Sequence, residues 1–293
     1  MIKLLFSVYL IAFEICDIIY NMKNKQDYKA LKKFGQNFLT DQNIIQKITG
    51  LLDDRLLDID TIIEVGPGLG ALTQHLINKN KQVDAYEIDP RMKEYLDGNL
   101  NSDNLSVILE DFLKIDLTKY ENKKVAFISN LPYYITTPII FKIIESKMDY
   151  RKIVVMMQKE VAVRLTAKIG TKEYNALSVI LNSRHDIKKE FDVSPKVFIP
   201  APKVMSSVVT ITPNADKYRI NNYSIFCVFT KQAFVQRRKV IVNNLLALFE
   251  SRTQTENFLI KNGVDPTVRP DNLPISKFVE MANNYVKGNH GKI

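Results

Sequence analysis

A short apolar run, Thr61–Val65, leads directly into Gly66-Pro67-Gly68-Leu69-Gly70, and no other feature of the 293-residue chain restricts its fold as much. An apolar strand followed by closely spaced glycines describes a chain that leaves a sheet and turns sharply into a helix. Leu72, Leu76 and Ile77 carry the helical spacing that follows. The alternation then continues, with strand signals at Gln82–Glu87, Leu105–Leu109, 125–129 and 153–157, and a helix from 91 to about 100. Parallel strands need crossover connections, so this order predicts a mostly parallel sheet covered on both faces. The β-rich runs 186–193 and 204–212 flank a Pro-containing loop and are expected to form a closing antiparallel pair. After Pro213-Asn214 the strand signals stop, and helices are expected at about 222–236, 238–249, 254–262 and 275–286. The fold class predicted is α/β: a Rossmann-like sheet with an antiparallel last strand, followed by a small all-helical C-terminal domain.

Charge narrows the partners. The formal net charge is +9: residues 23–40 carry +4 and 217–293 carry +7, and with −1 in residues 1–22 this leaves 41–216 close to neutral at −1. Basic flanks around a neutral body suit a polyanion gripped at the edges of a working core. Cys16 and Cys227 stand in no metal or redox spacing, so a reducing, cytoplasmic setting is expected, with no metal. Residues 4–13 form an apolar run behind Lys3, shorter than the roughly 20 residues of a membrane span. Met22 then opens a polar, Lys-rich stretch. We read residues 1–22 as an over-extended start in preference to a docking helix or an export signal.

The chemistry begins at the glycine turn, where a ligand can approach the backbone of Gly66 and Gly68 without meeting a Cβ. Glu87 lies 21 residues after Gly66, at a strand end, where a carboxylate can accept from both hydroxyls of a ribose. Gly66-x-Gly68-x-x-Ala71 also satisfies a dinucleotide fingerprint, so these residues alone leave an NAD-binding domain open. Glu110-Asp111-Phe112 places an acid and an aromatic after the next strand, along the edge where open α/β sheets bind ligands. Asp111 can accept from an adenine amine and Phe112 can lie against the ring, although an acid at such a place is often only a helix cap. The most specific element is Asn130-Leu131-Pro132-Tyr133. The lone pair of an adenine amine is delocalised into the ring, and two acceptors on its protons favour the pyramidal geometry needed for attack on an electrophilic methyl. The Asn130 side-chain oxygen and the Leu131 carbonyl can supply them, Pro132 fixes the backbone, and Tyr133 offers a stacking face.

Residues 33–286 closely resemble the bacterial 16S rRNA adenine dimethyltransferase family, whose loss gives kasugamycin resistance. The resemblance rests on ordered motifs: Gln36-Asn37-Phe38-Leu39, Gly66-Pro67-Gly68, Glu87, Glu110-Asp111, Asn130-Leu131-Pro132-Tyr133 and Gln158-Lys159-Glu160. Phe198-Ile199-Pro200-Ala201-Pro202-Lys203-Val204 with Ser206, and Ala233-Phe234-Val235-Gln236-Arg237-Arg238-Lys239, complete it. It implies S-adenosylmethionine as cofactor, bound by Asn37, Leu39, Gly66, Gly68, Glu87, Asp111 and Asn130. It implies two methyls on each of two adjacent adenosines near the 3′ end of 16S rRNA, within an immature 30S particle, as part of subunit biogenesis. Phe198 would close on the face of the target base opposite Tyr133; its bland alternative is a core aromatic before a Pro-rich loop. No general base is required, because the sulfonium methyl is already activated. Arg237-Arg238-Lys239, expected to begin the second helix of the small domain, would contact rRNA together with Lys231, and Lys29, Lys32 and Lys33 would extend that field. The domains implied are an N-terminal extension (1–22), a methyltransferase domain (23–213) and a helical RNA-contacting domain (214–293). The chain is expected to act as a monomer, with no membrane and no obligate protein partner.

Three other readings share parts of this pattern. The 23S rRNA adenine dimethyltransferases of macrolide resistance share the cofactor motifs but lack the Gln-Lys-Glu and Gln-Arg-Arg-Lys stretches. A non-catalytic nucleic-acid-binding factor of the mitochondrial transcription factor type would carry a decayed Asn-Leu-Pro-Tyr motif. An NAD-dependent dehydrogenase leaves 130–133 unexplained. One departure from the family pattern is Tyr174-Asn175-Ala176-Leu177, where Tyr-Gly-Arg-Leu is expected, and it removes a possible rRNA contact.

Overall fold

The computed structural model describes residues 30–31 and 35–287; the N-terminal extension and Lys29, Lys32 and Lys33 lie outside the described residues. Seven strands form one sheet: β2 (Thr61–Val65), β3 (Gln82–Glu87), β4 (Leu105–Leu109), β5 (Lys124–Asn130), β6 (Asp149–Gln158), β7 (His185–Val193) and β9 (Ser206–Pro213). A two-stranded ladder stands apart from it, made of β1 (Phe38–Leu39) and β8 (Phe198–Ile199). The sheet order is β4-β3-β2-β5-β6-β9-β7, and only β9 runs antiparallel to its neighbours. The order of winding, not the strand direction, reverses between β2 and β5, which opens a crevice at the carboxyl ends of these parallel strands.

The strands are apolar because both faces are covered. Ile63, Val65, Phe127, Ile153, Val155 and Met157 enter one core, while Ile62, Ile128, Val154 and Met156 enter the other. That period of two places Glu64 on the Ile62 face, beneath the glycine turn. The helices are α1 (Gln42–Gly50), α2 (Thr73–Leu76), α3 (Pro90–Asn99), α4 (Thr136–Ile144), α5 (Lys159–Leu165) and α6 (Ala176–Asn182). The helical region adds α7 (Tyr223–Ala233), α8 (Ile241–Leu245), α9 (Arg252–Lys261) and α10 (Ile275–Lys287). Asn222 and Ser251 cap α7 and α9, each accepting from a backbone N–H three residues on.

The second helix of this region is shorter than its sequence pattern. The expected span 238–249 reduces to α8 and a 3-10 turn at Leu246–Leu248, because the α7 helix stops at Ala233 and Val240 is extended. The helical core draws in Tyr174, Val179 and Ile180 from before residue 214, so α6 serves both this core and the sheet's, through Leu181. Asn175, the unexpected residue, caps α6: its side chain accepts from Leu177 and Ser178 N–H, and Ser178 Oγ accepts from its own N–H. Its place in the sequence is thus explained by helix capping.

The turn after β2 sets the tightest backbone requirement. Gly66, Gly68 and Gly70 all hold left-handed φ, at +70°, +55° and +74°. A Cβ on Gly70 would stand 2.8 Å from Leu100 and 2.9 Å from Leu96, both of which back the turn. Gly70→Ala therefore combines strain with overpacking; we expect a loss of about 2–4 kcal/mol, seen as a Tm lowered by roughly 5–10 °C in a thermal melt.

Candidate active site

A cavity of about 700 Å³ opens at the carboxyl edge of β2, β3, β4 and β5, roofed by residues 35–40 and by Ile199 and Pro200. The volume falls within the roughly 300–1,000 Å³ of small-molecule and cofactor sites. Asn37, Leu39, Gly66, Gly68, Glu87, Asp111, Asn130, Leu131, Pro132 and Tyr133 all line it. Residues distributed over more than ninety positions of sequence thus meet in one place.

Glu87 is held open for a ligand by backbone. Its Oε2 accepts from Gly68 N–H at 3.0 Å, and its Oε1 accepts from Ile88 and Asp89 N–H at 2.8 and 2.9 Å. Burial pushes this carboxyl above its usual range, while the three N–H groups pull it back. Next to it, Asp89 caps α3 through Arg91 N–H. Its carboxylate also accepts from the Arg91 guanidinium and, at 3.1 Å, from Gln36 Nε2. Burial alone would raise Asp89, but these bonds win and hold it low. Gln36 Oε1 in turn accepts from Leu31 N–H, so the lead-in segment is tied down over the cavity.

That segment is the roof. Phe38 stands with its ring edge over Gly68, where a Cβ would come within 3.3 Å of it. Phe38 and Leu39 pair with Ile199 and Phe198, and Thr40 adds a bond from its N–H to Val197 O at 2.9 Å. Asn130 Nδ2 donates to Asn37 O over a long 3.4 Å, which leaves Oδ1 without a hydrogen bond among the described residues. Tyr133 Oη meets Ser206 Oγ at 2.8 Å. Asp111 Oδ1 accepts from Leu113 N–H, so this carboxylate does cap the following turn, with Oδ2 3.8 Å from Lys114 Nζ. Phe112 lines the cavity while packing edge-on against Tyr86 and Phe127.

Two groups of sequence candidates lie elsewhere. Phe198 is not in the cavity wall: it is buried with Leu39, Val193 and Val208, and the alternation of β8 turns Ile199 toward the cavity instead. The stacking role of Phe198 rests on the resemblance alone. Arg237, Arg238 and Lys239 sit in the turn between α7 and α8, not at a helix start. Arg237 is spent internally, on the carbonyls of Thr171 and Lys172 and on Asp271, 3.1 Å away. Arg238 and Lys239 are exposed with no acid partner among the described residues. The sequence reading missed Ile88, Tyr134, Ile199 and Pro200 as cavity residues, and the links Gln36–Asp89 and Tyr133–Ser206. Asp89-Pro90 carried a helix-start signal that could have located the first link.

A doubly wound sheet with a glycine turn, an acidic residue at each of the next two strand ends and Asn-Leu-Pro-Tyr at the fourth defines a Rossmann-like methyltransferase. The chain belongs to the ribosomal RNA adenine dimethylase family, whose model it matches over residues 28–287. It is 42% identical over 275 residues to ribosomal RNA small subunit methyltransferase A of Lactobacillus helveticus, covering 89% of this chain and 93% of that protein. The Mesoplasma florum protein of the same name is 40% identical, covering 87% and 98%. Among solved structures, a dimethyladenosine transferase from Plasmodium falciparum superposes with a TM-score of 0.70 at 24% identity, over 85% of this chain and 98% of that one. The 23S rRNA methyltransferase ErmE gives 0.67 at 25%, over 85% and 100%. Among the described residues no helix is long and apolar enough to cross a membrane.

Glu64 yields a pH prediction. It is 1% exposed, accepts from Thr73 Oγ1 at 2.7 Å, and is pushed up to about 8 by burial, with Glu87 adding repulsion. The unfolded chain ionises this group near 4.5 while the fold keeps its proton, so stability falls as pH rises from about 4.5 to about 8. Glu64→Gln keeps an acceptor for Thr73 and removes the titration. We expect its Tm, relative to the parent without added ligand, to climb between pH 5 and pH 8; a constant difference across that range contradicts the assignment.

Proposed function

We infer that the protein uses S-adenosylmethionine to dimethylate the N6 amines of two adjacent adenosines in the 3′-terminal hairpin loop of 16S rRNA. The substrate in this reading is an immature 30S particle in the cytoplasm, and the chain works as a monomer. The observation that carries it is Asn130: an amide at the end of β5 in the cavity wall, its nitrogen engaged by Asn37 O and its oxygen free to accept. Relatives about 40% identical over nearly the whole chain are named as small-subunit enzymes, whereas the 23S enzyme stands at 25%, which favours the small subunit.

The residues present fit the cofactor. Glu87, fixed by three N–H donors, would take the ribose hydroxyls; Asp111 Oδ2 and the aromatic Phe112 would take the adenine. The glycine turn and Asn37 with Leu39 would enclose the remainder. When bound, the cofactor supplies a sulfonium-activated methyl. The protein's part is then to place the target amine: Asn130 Oδ1 and the Leu131 carbonyl accept hydrogen bonds from its N–H groups, and Tyr133 receives the unstacked base. Rate comes from positioning and polarisation; no general base is needed, because the N-methylated amine, positively charged once the new bond forms, gives its extra proton to water. The sequence division at residues 22 and 213 is retained as a proposal, with Arg238 and Lys239 taking phosphates from the helical side.

Three measurements test this. Parent protein should transfer methyls to 30S particles from cells lacking it, with dimethyladenosine mapped to two adjacent sites. Asn130→Ala should abolish transfer while cofactor affinity stays within about tenfold, or 1.4 kcal/mol; full activity in that variant removes Asn130 from the mechanism. RNA affinity should also fall steeply with salt, and reversing charge at Arg238 and Lys239 should flatten the log–log slope by up to about 2. An unchanged slope takes that turn out of the RNA site.

A further inference from the structure

The hydroxyl bond between Tyr133 and Ser206 has no part in cofactor binding, yet it joins the loop after β5 to an interior strand of the sheet. Ser206 is 1% exposed and begins β9, where it is paired with Gln158 of β6 on one side and Val193 of β7 on the other. It therefore cannot shift without disturbing two ladders. Tyr133 is half-buried in a loop that closes on itself through Ile135 N–H to Pro132 O at 3.1 Å and Thr136 Oγ1 to the same carbonyl. These bonds fix the loop backbone but not the orientation of an aromatic side chain at its crest.

We propose that Ser206 is a positioning residue for the target base: it holds the Tyr133 ring as a fixed face in the cavity wall before RNA arrives. This rests on the reading that Tyr133 receives the adenine. A half-exposed aromatic ring has several staggered positions, and a base that must select one on binding loses part of its stacking energy to that ordering. A 2.8 Å bond to a strand locked on both sides selects one in advance. The adjacent Tyr134 shows the contrast, as a cavity-lining tyrosine that is 66% exposed, with no side-chain hydrogen bond among the described residues. The effect belongs to the reacting complex, since the bond touches neither Glu87 nor the glycine turn.

The test is a double-mutant cycle in the full chain, with labelled S-adenosylmethionine and 30S particles lacking the modification. Ser206→Ala and Tyr133→Phe should each lower kcat about five- to tenfold with cofactor Kd unchanged, and the double variant should be no slower than the worse single. Ser206→Thr, which restores the hydroxyl, should recover most of the rate. In a hairpin with 2-aminopurine at the target position, both single variants should raise emission as the stack on Tyr133 loosens. Wild-type kcat in both singles, a double variant whose losses multiply, or unchanged emission overturns the proposal. If Ser206→Ala does not fold, kcat and emission in Tyr133→Phe decide the same question. Failure of the parent protein to methylate any 30S particle would overturn the functional reading itself, and this proposal with it.

Discussion

Three backbone N–H groups converge on the Glu87 carboxylate, and the site is organised around that convergence. Gly68 comes from the turn after β2, whereas Ile88 and Asp89 come from the end of β3. One side chain therefore locks two neighbouring strand ends into a single surface. Without it, the three N–H groups at the crevice would be unpaired, a costly state for partly buried donors. The same donors keep both carboxyl oxygens in one orientation, so a ligand meets a prepared acceptor.

From this point the order propagates outward through Asp89. Its carboxylate serves α3, Arg91 and Gln36 at once, and Gln36 leads directly to Asn37 and Phe38. Asn37 contributes the carbonyl that meets the Asn130 amide, while Phe38 covers the glycine turn. The roof, the Glu87 carboxylate and the Asn130 amide are thus members of one bonded series. Glu64 sits beneath it as a neutral carboxyl bonded to Thr73, which keeps a second negative charge away from Glu87 at neutral pH.

The sheet and the cavity floor were legible in the sequence because they rest on local signals. Thr61–Val65, Gln82–Glu87 and Leu105–Leu109 fall on the strands themselves, and Gly66, Glu87, Asp111 and Asn130 follow strand ends, where the parallel topology must bring them together. What depends on distant partners was not legible. Phe198 and Ile199 are both apolar, and only pairing with β1 decides that the first faces the core and the second the cavity. Arg237 reads as surface charge until Thr171, Lys172 and Asp271 are seen around it. Asn175 reads as a lost contact until its capping box is seen.

The ladder between β1 and β8 joins segments roughly 160 residues apart in the chain. The crevice floor is complete in sequence once Asn130 has been made, but its roof has no partner until residues 198 and 199 follow. Closure of the cavity is therefore a late product of translation. A chain interrupted before residue 198 would carry the glycine turn and every acidic strand end, and still lack the latch that closes over them.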